Sequence, residues 1–190
     1  EPVLSPKDDD VRWWDNSVMY KSTIIRDLER ESGHDFIMYY NARGDSINPG
    51  RGAERIAMAV SDDMKNWERY GDSPLLNHDT GITCDPYIQR INDTWVMFYF
   101  GAFWKDGAFN RFAVANDLLN WTEWEGEDLV ASSEPYDEVF AHKSFVVKHN
   151  GVVYHFYCAV NKPFQRGIAV ATSKDLGKSL LNFVKPEEKE

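Results

Sequence analysis

The sequence predicts an all-β protein with the architecture of a β-propeller, of which about three four-stranded blades lie in this chain. Three observations predict this fold. A pattern of strands recurs about every 56 residues, a turn sequence separates the first two strands of each copy, and the second strands are continuous apolar and aromatic runs. Together they indicate a single domain over residues 1–190, built from repeats at approximately 11–76, 77–131 and 132–184.

Each repeat contains three recognisable strands. The first strands read MYKSTIIRD, TCDPYIQRI and AHKSFVVKH, and the second read DFIMYYNA, TWVMFYFGA and VVYHFYCAV. The third read RIAMAVSDDMKNW, RFAVANDLLNW and RGIAVATSKDLG. The turns between first and second strands read ESGH, INDT and KHNG. Asn150-Gly151 is the strongest hairpin signal, because a type I′ turn needs positive φ at both central residues.

A fourth, outer strand is predicted in the segments YGDSPLL and EGEDLVASS, which follow the third strand in the first two repeats. The N-terminal EPVLSP resembles the first of these, as though it were the fourth strand of a preceding repeat. The apolar second strands are typical of strands buried on both faces, which stacked blades provide. A two-sheet sandwich is the alternative, but it does not require three similar units.

Three repeats and one additional strand do not close a ring, because propellers have about four to eight blades. A ring of five such repeats needs about 280 residues, against the 190 present here. We therefore expect the chain to be part of a longer protein, or to self-associate so that its open blade edges are covered.

Charge and cysteine content disfavour several functions. With 31 acidic and 21 basic residues, the net charge of −10 disfavours binding to nucleic acid or anionic membranes and leaves neutral ligands such as sugars open. No stretch approaches about 18 consecutive apolar residues, so no membrane span is predicted. Cys84 and Cys158 are interpreted as buried small hydrophobes, with a disulfide or a ligand role as the alternative. The five histidines form no H-x-x-x-H pair, which argues against a zinc site.

Strand direction predicts which rim of the blades holds a ligand site. The start of each first strand lies beside the loop that joins the second and third strands, and this rim faces the central pocket. The loops 41–51, 103–111 and 161–166 contribute to it. The candidate catalytic carboxylates there are Asp85, Glu138 and Asp15. The candidate substrate-binding residues, which supply polar groups or rings that stack on sugars, are Trp13, Trp14, Lys21, Phe103, Trp104, Asp137, His142, Lys143 and Arg166.

Asp85 differs from the recurring residues because its equivalents are Lys21 and Lys143. A residue needed only for blade architecture should recur, so this change of chemical type favours a functional role, with a turn or capping role as the alternative. For the other candidates the alternatives are loop solvation or pairing with a carboxylate of a neighbouring blade. Residues that do recur are predicted to be mainly structural: Trp67 and Trp121 in packing, Arg55, Arg111 and Arg166 in the blades, and Asp62, Asp63, Asp117 and Asp175 in turns on the opposite rim.

Five segments carry a family resemblance: RWWDNSVMYKSTIIRD, ERIAMAVSDDMKNW, WVMFYFGAFW, EPYDEVFAHKSFVVKHNGVVYHFYCAV and RGIAVATSKDLG. Over roughly residues 1–177 the chain resembles the five-bladed propeller glycosidases, the broad group of glycoside hydrolase families 32, 43, 62, 68 and 117. Within that group it is similar to family 43-like glycosylases of polysaccharide-degrading bacteria. The resemblance implies hydrolysis of glycosidic bonds in plant or algal oligosaccharides, with inversion, in the bacterial periplasm or outside the cell.

The resemblance also implies roles for individual residues. In the broad family, a base or nucleophile Asp, a supporting Asp often followed by Pro, and an acid Glu stand at the heads of three innermost strands. Asp85-Pro86 matches the supporting Asp, whereas Lys21 and His142-Lys143 stand where the other two are expected. Either the missing carboxylates lie in blades outside this chain, or Asp85 acts with Glu138 or Asp15. No cofactor is expected, although a calcium ion in the channel remains open.

A non-catalytic carbohydrate-binding or assembly propeller is the alternative function. It needs only the aromatic and polar rim, and it accommodates lysines at positions where the resemblance leads one to expect carboxylates.

Overall fold

The structure is a computed structural model that describes residues 1–44 and 53–174. Within these residues the strands form three successive antiparallel meanders, here called blades 1, 2 and 3. Blade 1 consists of β1 (Val18–Arg26), β2 (Phe36–Arg43), β3 (Glu54–Ser61) and β4 (Glu68–Tyr70). Blade 2 consists of β5 (Ile82–Ile91), β6 (Thr94–Ala102), β7 (Ala108–Ala115) and β8 (Thr122–Glu123). Blade 3 consists of β9 (Phe140–His149), β10 (Val152–Val160) and β11 (Arg166–Thr172).

The blades stack face to face around their first strands. β1 contacts β5, and β5 contacts β9, so the three first strands lie side by side at the centre. Between blades 1 and 2 the core includes Ile37 and Tyr39 on one side and Met97 and Tyr99 on the other, all of them buried. The Tyr39 hydroxyl donates a 2.6 Å hydrogen bond to the Leu118 carbonyl and so ties the two blades together. The predicted propeller is confirmed.

Burial along the second strands follows from this stacking. β2 and β6 are buried over almost their whole length, as their apolar sequences predict. In β10, buried and exposed residues alternate, because one face of blade 3 packs on blade 2 and the other is open. The open face exposes apolar side chains, among them Phe145, Phe156 and Ile168.

The predicted turns hold at the hairpins that the structure describes. Asn150 and Gly151 have φ values of 48° and 80°, so both central residues of the β9–β10 turn have the positive φ that a type I′ turn requires. On the same side of the blades, Asp63 accepts hydrogen bonds from the backbone of Lys65 and Asn66, as expected for a turn-forming residue. Asp117 does the same in blade 2. Asp175, predicted to have this role in blade 3, lies outside the described residues.

The predicted fourth strands are wrong in position. β4 and β8 begin directly after the structural tryptophans Trp67 and Trp121 or within a residue of them, and they precede most of the predicted segments YGDSPLL and EGEDLVASS. Only Leu76 and Val130 of those segments pair with a third strand, through isolated bridges. Gly71, with φ of 85°, turns the chain out of the sheet and ends β4 early.

The N-terminal segment EPVLSP, predicted as the strand of a preceding repeat, contains no strand. It forms turns instead, and Leu4 packs against the outer face of blade 1 beside Met19 and Trp14. Ion pairs hold the neighbouring residues in place, because the Arg69 guanidinium lies within 3.2 Å of Asp8. No helix in the described part of the chain is long and apolar enough to cross a membrane.

Candidate active site

One residue in each innermost strand interrupts the pairing with the neighbouring strand. The register shifts at Lys21 in β1, at Asp85 in β5 and at Lys143 in β9. Their φ values of 36°, 59° and 64° lie in the left-handed region, which costs a non-glycine residue about 1–3 kcal/mol. Such bulges re-aim a side chain away from the ordinary alternation of a strand. The three positions are therefore equivalent in structure as well as in sequence.

The three side chains meet at the centre of the blades. Lys143 Nζ lies 2.8 Å from Asp85 Oδ2, and Lys21 Nζ lies 3.0 Å from the same oxygen. The Asp85 side chain is only 1% exposed, whereas the lysine side chains are 44% and 46% exposed. A buried carboxylate of blade 2 is thus held between a cation of blade 1 and a cation of blade 3.

Asn41 at the end of β2 fixes the other side of Asp85. Its side-chain amide donates a 2.6 Å hydrogen bond to Asp85 Oδ1, and its carbonyl oxygen accepts a 2.8 Å bond from the Asp85 backbone N–H. Burial alone would raise the pKa of Asp85, but the hydrogen bond from Lys143 and the charges of both lysines outweigh it and hold that pKa below its ordinary value. Asp85 is therefore ionised at neutral pH with both oxygens engaged. It is suited to orienting groups and setting charge, and unsuited to donating a proton.

Glu138 lies on the same rim, beside the loop between β10 and β11. Its Oε1 accepts a 3.0 Å hydrogen bond from the backbone N–H of Lys162, and its Oε2 lies 3.4 Å from Lys162 Nζ. That backbone hydrogen bond lowers the pKa of Glu138 and outweighs the opposing effect of desolvation. An exposed, ionised carboxylate of this kind is suited to act as a base or a nucleophile.

Asp15, the third candidate catalytic residue, is fully buried. Its Oδ2 accepts hydrogen bonds from Arg69 Nε at 2.6 Å and from the Tyr40 hydroxyl at 2.8 Å. Its Oδ1 accepts a 2.8 Å bond from the backbone of Arg12. The expectation of a catalytic Asp15 is therefore corrected: a residue with no exposed surface and both oxygens engaged anchors the segment that leads into β1.

Asp137, a candidate for substrate binding, has the same environment in blade 3. It is fully buried, its Oδ1 accepts backbone hydrogen bonds from Ser133 and Glu134 at 2.9 and 2.8 Å, and its Oδ2 accepts a 2.7 Å bond from the Tyr157 hydroxyl. Asp15 and Asp137 each lie six residues before the bulged lysine of their blade. Their shared contacts make them elements of blade architecture, and the expectation for Asp137 is corrected on the same ground.

The two neighbouring tryptophans differ in exposure. Trp13 is 55% exposed, and the Arg55 guanidinium lies over its ring at 5.0 Å, so it remains a candidate for stacking on a sugar. Trp14 is only 2% exposed and packs edge-on against Trp13 and into the blade 1 core. The expectation that Trp14 stacks on a ligand is corrected, because its ring has no free face.

A second group of rings lies between blades 2 and 3. Trp104 is stacked on the His78 ring at 3.8 Å, and its Nε1 donates a 3.0 Å hydrogen bond to the Ile82 carbonyl. Phe103, which is 46% exposed, lies edge-on to Phe140. Phe103 is the better placed of the two predicted rings for contact with a ligand.

His142 is buried beside Lys143, with the rings of Phe100 and Phe140 edge-on to it at 5.3 and 5.7 Å. Burial, reinforced by the charges of Lys143 and Arg166, lowers the pKa of His142 to about 4. This side chain is therefore neutral near pH 7, and it reports a concentration of positive charge around it.

The recurring arginines do not share one environment. Arg55 donates to Asn77 Oδ1 at 2.8 Å and to the Ala53 carbonyl at 2.6 Å, and Arg111 donates to the Gly126 carbonyl at 2.9 Å. Both have structural contacts of the predicted kind. Arg166 is exposed at the start of β11, on the same rim as Lys143.

Glu54 is a rim carboxylate that the sequence reasoning missed. Its Oε2 accepts hydrogen bonds from the Tyr20 hydroxyl and, at 3.1 Å, from Cys84 Sγ, so it lies beside the residues that precede Lys21 and Asp85. Glu54, Asn110 and Gln165 each stand directly before a recurring arginine. The change of chemical type that singled out Asp85 was therefore present here as well.

Cys84 and Cys158 are both free thiols; Cys84 is buried and Cys158 is partly buried. Among residues 1–44 and 53–174, no group of three or more His, Cys, Asp or Glu side chains is arranged to hold a metal ion. Residues 45–51 of the predicted rim loop lie outside the described part of the chain.

Comparison with solved structures places this arrangement among known folds. A structure described as a glycoside hydrolase and another described as a complex of BT0996 with RGII each match with 50% identity and a TM-score of 0.86, over 98% of this chain and 55% of theirs. A thermostable family-43 glycoside hydrolase matches in fold, with 21% identity and a TM-score of 0.63 over 89% of this chain and 55% of its own. No protein-family model matches the chain.

A curated relative is more distant. The chain is 27% identical to a β-1,2-mannobiose phosphorylase of Thermoanaerobacter sp. (strain X514) over 136 residues, which are 64% of this chain and 42% of that protein. The chain thus spans about half the length of the proteins that it matches.

Stacked four-stranded blades with a bulged residue at the head of each innermost strand, together with these matches, define the class of protein. The chain has the fold of the five-bladed β-propeller glycoside hydrolases, as the sequence predicted, and it contains part of that propeller. Within the class, it is related to the BT0996 glycoside hydrolase.

Proposed function

We propose that the chain forms part of the active site of a glycoside hydrolase that acts on plant or algal oligosaccharides. One observation carries the proposal: the equivalent bulged residues of three successive blades converge at the centre on the buried, ionised carboxylate of Asp85. Non-glycine residues held at positive φ on one rim are typical of functional sites, because the surrounding fold must compensate for their strain. The relation to proteins described as glycoside hydrolases supports the same reaction.

Glycoside hydrolysis uses one carboxylic acid to protonate the leaving oxygen and a second carboxylate to activate water or to attack the sugar. In our proposal Glu138 has the second role, since it is exposed on the rim and its pKa is lowered. Asp85 orients the sugar and sets the charge of the site through Lys21 and Lys143. Trp13 and Phe103 offer rings for stacking. For such an enzyme we also propose a periplasmic or extracellular location in a bacterium.

The experiment is release of reducing sugar by the purified chain. The substrates are arabino-, xylo-, galacto- and manno-oligosaccharides together with RGII, which is named in the description of one related structure. We expect release from one of them, reduced about 100-fold or more by Glu138→Gln with binding retained. Glu29→Gln, an exposed change on the β1–β2 turn of the opposite rim, is the matched control and should leave release unchanged.

Non-catalytic carbohydrate binding is the second candidate, and one observation favours it. Lys21 and Lys143 occupy two of the three equivalent bulged positions, so the centre holds one carboxylate and two cations. Calorimetric binding of an oligosaccharide without any release, in the chain and in a longer protein that contains it, would select this candidate. Release that survives Glu138→Gln would contradict the role given to that residue.

A further inference from the structure

A cavity of about 620 Å³ opens beside the central residues, between β1 and the uncovered face of blade 3. Its polar end is formed by Lys21, Lys143 and Arg166. Its other walls are largely apolar and include Phe145, Phe156 and Ile168 on the open face of blade 3. The cavity therefore joins a cationic end to a hydrophobic surface.

The charge of this cavity is opposite to that of the chain. Among the described residues that line it, three are basic and none is acidic, although the chain as a whole carries a net charge of −10. Asp85 is the counter-ion of the two lysines, but it is buried behind them and has one negative charge to balance their two. Arg166 adds a third positive charge, so the cationic end has two positive charges in excess of Asp85.

The lysines retain hydrogen-bonding capacity toward the cavity. An ammonium group has three N–H donors, and each lysine uses one of them on Asp85 Oδ2. Their side chains are nearly half exposed, so the remaining donors can reach a ligand. Because Asp85 and Asn41 hold the cluster in place, an incoming anion meets donors that are already positioned.

Nearby carboxylates do not cancel this charge. Glu138 faces Lys162 Nζ at 3.4 Å, and Glu54 accepts hydrogen bonds from Tyr20 and Cys84. Neither of them lines the cavity. His142, which lies next to Lys143, has a pKa lowered in part by the positive charges of Lys143 and Arg166, and this agrees with the charge counted from the geometry.

We propose that this cavity is an oxyanion site that binds the carboxylate of an acidic sugar unit, with Lys21, Lys143 and Arg166 as the residues that select for it. The inference rests on the proposed action on oligosaccharides and adds a class of substrate to it. Inorganic phosphate has similar chemistry as a ligand. The apolar walls favour an anion that is part of a larger molecule, since free phosphate has no surface that contacts them.

The test compares two ligands of the same shape. Calorimetry with the intact chain measures binding of digalacturonate and of its methyl ester, which has the same rings without the charge. We expect the acid to bind at least about tenfold more tightly than the ester, because charge-assisted hydrogen bonds form only with the carboxylate. This difference should diminish in about 0.5 M salt, where screening extends over only about 3–5 Å.

Variants assign the preference to this site. Arg166→Gln leaves the contacts of Asp85 in place, so it avoids a folding defect while removing one charge; it should weaken binding of the acid about fivefold and leave binding of the ester unchanged. Lys148→Gln removes a charge from the opposite end of the same strand as Lys143 and is the matched control. A titration with phosphate at constant ionic strength distinguishes the second source of an oxyanion.

Each outcome decides the proposal. A preference for the acid that Arg166→Gln reduces, or phosphate binding that it reduces, supports an oxyanion site and identifies the source. Equal affinity for acid and ester without phosphate binding, or binding of none of the probes, overturns it. The outcome is separate from that of the hydrolysis assay: a chain that prefers the acid but releases no sugar keeps this inference and loses catalysis, and a chain that hydrolyses only neutral oligosaccharides does the reverse.

Discussion

Lys143 of blade 3 donates a 2.8 Å hydrogen bond to the Asp85 carboxylate of blade 2 and so joins the heads of two innermost strands. Lys21 of blade 1 binds the same carboxylate oxygen at 3.0 Å. The three blades are therefore connected at the centre by an ion cluster as well as by the apolar contacts between their faces. This cluster is the element that stability and ligand binding share.

Asp85→Asn should destabilise the chain. The substitution keeps the shape of the side chain but leaves two lysines without their counter-ion and removes an acceptor at a buried position. We expect the free energy of unfolding to fall by about 1–3 kcal/mol, measured by urea denaturation at pH 7. Asp93→Asn, on the exposed β5–β6 turn of the same blade, is the matched control and should change it by less than about 0.5 kcal/mol. Equal effects of the two changes would show that the cluster does not stabilise the blades.

Tyr40→Phe and Tyr157→Phe should have similar effects on stability. Each hydroxyl donates to a buried aspartate, Asp15 in blade 1 and Asp137 in blade 3. Loss of either hydrogen bond should lower the free energy of unfolding by about 1–2 kcal/mol and leave the affinity for oligosaccharide unchanged. Denaturation and calorimetry on the same samples check both parts. A variant that folds with full stability but loses ligand binding would make its aspartate a candidate for binding once more.

Stability should fall as the pH is lowered from about 6.5 toward 4, and His155 should contribute to this loss. Burial lowers the pKa of His155 from 6.5 to about 4, and the Nδ1 atom has no hydrogen-bond partner among the described residues. Between these two values the unfolded chain binds a proton that the folded chain does not, so acid favours unfolding there, while above pH 6.5 the effect is absent. The loss is on the order of 3 kcal/mol at most.

The measurement is urea denaturation at pH 7 and pH 5 for the wild type and for His155→Gln. The variant should lose less stability between the two pH values than the wild type, whatever its absolute stability. His149→Gln, on the exposed β9–β10 turn, serves as control and should keep the wild-type difference. Asp85 does not account for this change, because a carboxylate with a lowered pKa loses its contribution only below about pH 4.

The chain should self-associate through the open face of blade 3. Phe145, Phe156 and Ile168 are exposed there, and Ile168 is 86% exposed. A contiguous apolar surface of this kind favours association. Ile168→Lys should shift sedimentation toward the monomer. Leu28→Lys, at a residue 75% exposed on the β1–β2 turn, is the matched control and should leave sedimentation unchanged. A wild-type chain that is monomeric at about 100 μM would contradict the expectation of self-association.

Much of the fold could be predicted because the repeat carries its information locally. The aromatic second strands, the Asn150-Gly151 turn and the recurring tryptophans each predict one feature without knowledge of the others. The outer strands were placed wrongly, because β4 and β8 have only three and two residues and depend on pairing with their neighbours. Strands as short as these have no periodicity to detect.

The sequence by itself determined that three equivalent positions hold Lys, Asp and Lys, and it singled out Asp85 as the member that changes type. Only the tertiary structure decided that these side chains meet, since a hydrogen bond between blades joins residues 58 positions apart. It also decided that Asp15 and Asp137 are buried anchors, whereas Glu138 is open to solvent. The physical reason is that strand pattern depends on neighbours along the chain, whereas the environment of a carboxylate depends on which blade packs against it.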